Sequence, residues 1–133
     1  MLAAGYLDEA KAWREWLLRA VAGDPATLQV MYAVDGTRRL PETEIPWLRG
    51  YEASSPVRTG NAAATQLQLD VWGETLDALH LAREAGINSD DSWDLQVALM
   101  EHLEGNWRAP DNGLWEIRGP LRHFTHPTCY FRE

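Results

Sequence analysis

The chain has 133 residues, 45% of them hydrophobic, which suits one globular domain with a core of its own. A formal net charge of -8, with arginines scattered rather than gathered, argues against nucleic acid or an anionic membrane as the main partner. No apolar run approaches the ~20 residues that a membrane span needs. The first residues lack the charged start and apolar stretch of a signal peptide, and Cys129 alone excludes an internal disulfide. The chain therefore reads as soluble and cytoplasmic. Seven tryptophans are many for this length, and they divide between core packing and a surface on which sugar rings can stack.

In chain order, Leu2, Tyr6, Ala10, Trp13, Leu17 and Val21 recur at helical steps and predict a helix over 2–22 with one apolar stripe. Gly23 ends it, and Asp24-Pro25 offers a cap and a first-turn proline for a short helical turn. Val30, Tyr32 and Val34 alternate with Met31 and Ala33 before Asp35-Gly36, which predicts a short strand over 29–34 and a turn. Residues 37–60 form a long irregular segment containing Trp47, Leu48 and Tyr51. A loop of that length carrying aromatics is expected to line something rather than to be disordered.

From Asn61 to about Ala85 the pattern predicts one long helix, capped by Asn61, stopped by Gly86 and apolar on several faces. A further helix starts near Ser89-Asp90-Asp91 and reaches about Trp107, with Trp93, Val97, Met100, Leu103 and Trp107 as its apolar stripe. Helices joined by loops in this way suggest a layered α/α arrangement. After it comes Pro110-Asp111-Asn112, a turn-forming run, then Gly113-Leu114-Trp115-Glu116-Ile117-Arg118-Gly119. An acid between apolar neighbours on a loop is a setting that favours its neutral form, the property a general acid in glycoside hydrolysis needs. Taken alone, a Glu beside a Trp is a weak signal.

The ordered set of motifs is far more specific. Arg39-Leu-Pro-Glu42, Pro46-Trp-Leu-Arg-Gly-Tyr51, Pro56-Val-Arg-Thr-Gly-Asn-Ala-Ala63, Gln66 to Asp77, the Gly113–Gly119 run and His123-Phe-Thr-His126 together resemble the bacterial branch of glycoside hydrolase family 15. That family includes glucoamylases, glucodextranases and trehalases, and the resemblance runs from Tyr6 to His126. It implies an all-α fold, part of an (α/α)6 toroid of the six-hairpin glycosidase type, with three to four helices, long loops and at most a short β segment. It also implies hydrolysis of α-glucosidic bonds with inversion, on trehalose, maltose or malto-oligosaccharides, without a cofactor.

By the same resemblance Glu116 is the general acid, Trp115 lies beside the scissile bond, and Arg58 contacts sugar. Trp47, Tyr51, Asn61 and His126 are substrate-binding candidates from their place in the same loops. Two departures accompany these assignments. Fungal glucoamylases carry a second acid after the one that aligns with Glu116, where this chain has Ile117. Inversion also needs a second carboxylate ~6.5–9.5 Å from the acid, and the resemblance puts it beyond residue 133. The family's earlier arginine-aspartate pair and the preceding β-sandwich domain have no counterpart, and after His126 the sequence leaves the family's pattern. The 133 residues thus read as an internal piece of a catalytic domain, inactive alone. The alternative is a non-catalytic carbohydrate-binding or helical interaction module.

Three plainer readings stand beside these. Arg58 has a salt bridge as its structural alternative. Glu42 and Glu44 read as solvated or paired with Arg38 and Arg39. His123 and His126 have no carboxylate or cysteine at ligand spacing, so no metal is expected. A ring of helices cut open should also leave apolar patches exposed along 61–85.

Overall fold

The computed structural model describes residues 2–87 and 90–124, with Asp90 and Asp91 described in their backbone only. Three α-helices dominate them: α1 Leu7–Val21, α2 Asp70–Glu84 and α3 Asp90–Asn106. A two-stranded antiparallel sheet, β1 Thr43–Glu44 and β2 Arg58–Thr59, is set inside the long loop, with Thr43 opposite Thr59 and Glu44 opposite Arg58. The fold is thus mostly α, as expected. Among the described residues no helix is long and apolar enough to cross a membrane.

The core lies where the three helices meet. Leu17 and Val21 of α1, Leu28, Trp72 and Leu79 of α2, and Leu99 and Leu103 of α3 form one buried cluster. On α2 the buried residues Trp72, Thr75, Leu79 and Ala82 follow the three- and four-residue steps of one helix face. The His102 ring stacks on Trp72, with centroids 5.3 Å apart. Burial of such side chains stabilises the fold by about 1.5–3 kcal/mol each.

Several boundaries follow the sequence reading. Asp24 accepts a hydrogen bond from the Ala26 N–H at 3.0 Å and starts a 3-10 turn over Pro25–Thr27. Gly86, at φ 75°, closes α2: the Ile87 N–H reaches back to the Ala82 carbonyl at 2.8 Å, a bond five residues back that a left-handed residue permits.

Five expectations are corrected. The first helix begins at Leu7, because Gly5 at φ 80° separates it from a 3-10 turn over Leu2–Ala4, and Tyr6 is exposed. No strand forms over 29–34. The segment curls around Tyr32 instead: its hydroxyl accepts the Gln29 N–H, Trp16 Nε1 donates to the Val34 carbonyl at 2.7 Å, and Arg38 lies over its ring. A turn from Ala33 to Thr37 then leaves Val34 94% exposed.

The helix predicted over 61–85 is two pieces. Asn61 caps only a 3-10 turn, Ala62–Thr65, and an extended step precedes Asp70. On α3 the buried line is Ser92, Gln96, Leu99 and Leu103, whereas Trp93, Val97 and Met100 are exposed on a second stripe. Arg83 of α2 explains part of that shift, since its guanidinium sits 4.2 Å from the centre of the Trp93 ring and donates to Gln96. Among the described residues the large exposed apolar side chains therefore lie on α1, α3 and the loops, while on α2 only Leu81 is one.

Leu99 is fully buried and Val34 almost fully exposed. Leu99→Ala should cost about 2–5 kcal/mol in denaturant unfolding, by lost transfer energy plus a cavity. Val34→Ala should stay within about 0.5 kcal/mol of the parent.

Candidate active site

The extended step before α2 is the base of the site. The Leu67 N–H donates to Asn112 Oδ1 at 3.0 Å, and the Asn112 N–H returns to the Leu67 carbonyl at 2.8 Å. Two residues on, the Leu69 N–H donates to Asp111 Oδ2 at 3.0 Å. Leu69 is the cap position of α2 and has no capping side chain of its own. Asp111 supplies the acceptor from 42 residues away, and its negative charge lies at the helix end that favours it. Donors engaged this way have no reason to continue a helix backwards, which accounts for the break.

The same carboxylate turns the chain toward Glu116. Asp111 Oδ1 accepts the Gly113 N–H at 3.1 Å, and its backbone pairs with Arg122 through two bonds of 2.8 Å. At 1% exposure an unbonded carboxylate would be costly, and these donors offset that cost. Gly113 has φ 70°, and a Cβ there would meet the Phe124 ring at 2.8 Å, so both backbone and space require glycine. The turn then runs through Leu114 and Trp115 to Glu116, whose N–H bonds back to the Gly113 carbonyl. Glu116 itself has φ 50°, a left-handed conformation uncommon outside glycine. Gln66 steadies it by donating Nε2 to the Glu116 carbonyl at 3.3 Å.

A second tie comes from the long loop. Glu42 accepts Arg118 Nη2 on both oxygens, at 3.0 and 2.8 Å, and lies 3.4 Å from Arg58 Nε. Arg58, on β2, also donates to Glu44 of β1 at 3.0 Å. The Glu42 side chain is only 17% exposed although both arginines reach solvent. The Arg118 hydrogen bond, followed by smaller contributions from the Ala62 N–H and the charges of Arg118 and Arg58, holds its carboxyl below the ordinary 4.5 against the opposing effect of burial. The partners expected for Glu42 and Glu44 are thereby corrected: Arg38 instead donates to the Thr27 carbonyl and faces Tyr32.

Of the residues singled out in sequence, Arg58, Asn61 and Glu116 are drawn into this assembly. Arg58 enters through the ion pairs, Asn61 by capping the turn whose Ala62 N–H faces Glu42, and Glu116 through Arg118 and Gln66. Trp115 stands beside Glu116 and is 83% exposed. Glu116 is exposed too, so its apolar neighbours do not enclose it as the sequence reading expected. Trp47 and Tyr51, 81% and 86% exposed, stand on the loop between the two strands. His126 lies outside the described residues. Among the described residues no three metal-ligating side chains converge.

Asp111, Asn112, Gln66, Glu42 and Arg118 were not singled out from sequence as parts of a site. Asp111 and Asn112 sit in a run that spells an ordinary turn, and Arg118 lies inside the recognised motif with nothing to mark its partner.

Residues 1–128 match the family described as Glycosyl hydrolases family 15. The chain belongs to glycosyl hydrolase family 15. It is 40% identical over 131 residues to Trehalase 1 of Sulfolobus acidocaldarius, covering 95% of this chain and 23% of that protein. It is 42% identical over 104 residues to a trehalase of Mycolicibacterium smegmatis, covering 77% of this chain and 16% of that protein. A Mycobacterium tuberculosis trehalase is 43% identical over 99 residues, 74% of this chain and 15% of that one. The chain thus spans less than a quarter of the length of these family 15 relatives. No solved structure matches it.

Asp111→Ala strands two backbone donors and should lower stability by about 2–5 kcal/mol in denaturant unfolding. Glu42, its carboxyl depressed in the fold, contributes stability above its unfolded value that is lost as pH falls through the lower folded one. The melting temperature should therefore drop on acidification below about pH 4.5, and drop less steeply in Glu42→Gln.

Proposed function

We propose that this chain provides the general-acid side of an inverting α-glucoside hydrolase whose substrate is trehalose. Glu116 protonates the departing glycosidic oxygen, and Trp115 forms a wall beside the bond being broken. Arg58, Asn61, Trp47 and Tyr51 line the sugar's approach, with His126 as a further contact. The observation that carries this reading is the strained, doubly tied turn that presents Glu116 at the surface. A left-handed non-glycine residue persists where surrounding structure over-determines it, and such residues cluster at functional sites. The trehalase relatives support the choice of substrate.

An inverting reaction needs a base on the far side of the sugar to activate water, ~6.5–9.5 Å from the acid. We assign that base, and the remaining helices of an (α/α)6 toroid, to residues outside these 133. The second apolar stripe on α3 supports further helix packing there. A single cysteine fits a reducing compartment, and we put the reaction in the cytoplasm on that ground.

The test uses the full-length protein that carries these residues. Glu116→Gln should lower kcat on trehalose by about 10²–10⁴-fold while KM stays near the parent value. Undiminished turnover would overturn the assignment of the acid. Trehalose turnover by the 133-residue chain alone would overturn the assignment of the base. Sugar binding by the full-length parent without any turnover would favour a non-catalytic carbohydrate-binding module.

A further inference from the structure

Four charged side chains meet beside the Glu116 turn and sum to zero: Glu42 and Glu44 against Arg58 and Arg118. They come from three places, β1 with the residue just before it, β2, and the end of the Glu116 turn. Glu42 is the hub, because it alone touches both arginines and is the more buried of the two acids, at 17% against 60% exposed. Arg118 is only two positions from Glu116. Its guanidinium is held protonated first by the Glu42 hydrogen bond and charge, and in smaller part by the charge of Glu116. An unpaired guanidinium so near would favour the ionised form of Glu116, which cannot donate a proton.

We propose that Glu42 is a positioning residue for Glu116: it holds Arg118 through both carboxylate oxygens, fixes the end of the turn, and takes up the positive charge beside the acid. Arg118 cannot then turn onto Glu116 as a competing partner. Arg58 is engaged in the same way by Glu44 and Glu42, so neither arginine presents a free charge. This rests on the reading of Glu116 as a general acid, but the electrostatic part is measurable without turnover.

Two experiments on the full-length protein separate the parts. The first follows the Glu116 carboxyl by carbon NMR against pH, its resonance assigned by its loss in Glu116→Gln. Glu42→Gln frees Arg118 and should move the Glu116 midpoint to lower pH. Arg118→Gln leaves the Glu42 charge unbalanced and should raise it. The double variant should return it toward the parent. Opposite signs are the signature, because a merely structural loss moves both singles the same way or neither. Midpoints unmoved in both single variants, or moved in the same direction, would overturn the proposal; if Glu42→Gln does not fold, a fall in Arg118→Gln does so.

The second follows kcat/KM for trehalose against pH. With Glu116 as the acid, the alkaline limb should shift to lower pH in Glu42→Gln and recover in the double variant. If the NMR midpoints move as expected but the limb does not, the charge balance stands and the general-acid reading fails.

Discussion

One buried carboxylate organises the described residues around the site. Asp111 accepts the first donor of α2 through Leu69 and the first donor of the Glu116 turn through Gly113, one on each oxygen. Its backbone pairs with Arg122 on the far side of that turn. A carboxylate removed from water is tolerated only when its acceptor capacity is filled, and here the filling groups are backbone amides of fixed position. The geometry is therefore stiff where it matters. The helix packed into the core and the loop that carries Glu116 share a single anchor.

The second tie differs in kind. Glu42, Arg58 and Arg118 form an ion cluster near the surface, where exposed pairs contribute little to stability. Its interest lies in where it sits and what charge it leaves behind. It joins the hairpin of the long loop to the end of the Glu116 turn, which is otherwise held from below by Asp111 and from the side by Gln66. Trp47, Tyr51 and Trp115 stand exposed rather than folding into the core. Such aromatic faces can stack on sugar rings at no cost in core packing.

What was legible in the sequence were the features set by neighbouring residues. Asp24-Pro25 and Gly86 act on their own turns, so their spelling suffices. The motifs from Arg39 to His126 carried the family because their order and spacing are specific. What was not legible depends on partners far along the chain. The break at 66–69 has no proline or glycine to announce it, since the groups that take its donors lie 42 and 45 residues away. Asp111 spells a solvated turn and is buried. On α3 both Leu99 and Met100 belong to apolar stripes, and only the packing of Arg83 on Trp93 and of Leu99 in the core tells which stripe faces inward. The alternation of Val30, Tyr32 and Val34 failed as a strand because no edge among the described residues pairs with it, whereas Tyr32 offered a local hydroxyl and ring.

These anchors make sense if the turn delivers a proton to a departing glycosidic oxygen. A crystal structure of the full-length protein with a non-hydrolysable trehalose analogue tests this most directly. The Glu116 carboxyl should lie ~2.6–3.2 Å from the bridging atom that replaces the glycosidic oxygen, with Trp115 against the sugar beside it. A bridging atom held by a different acid, with Glu116 turned to solvent, would contradict it.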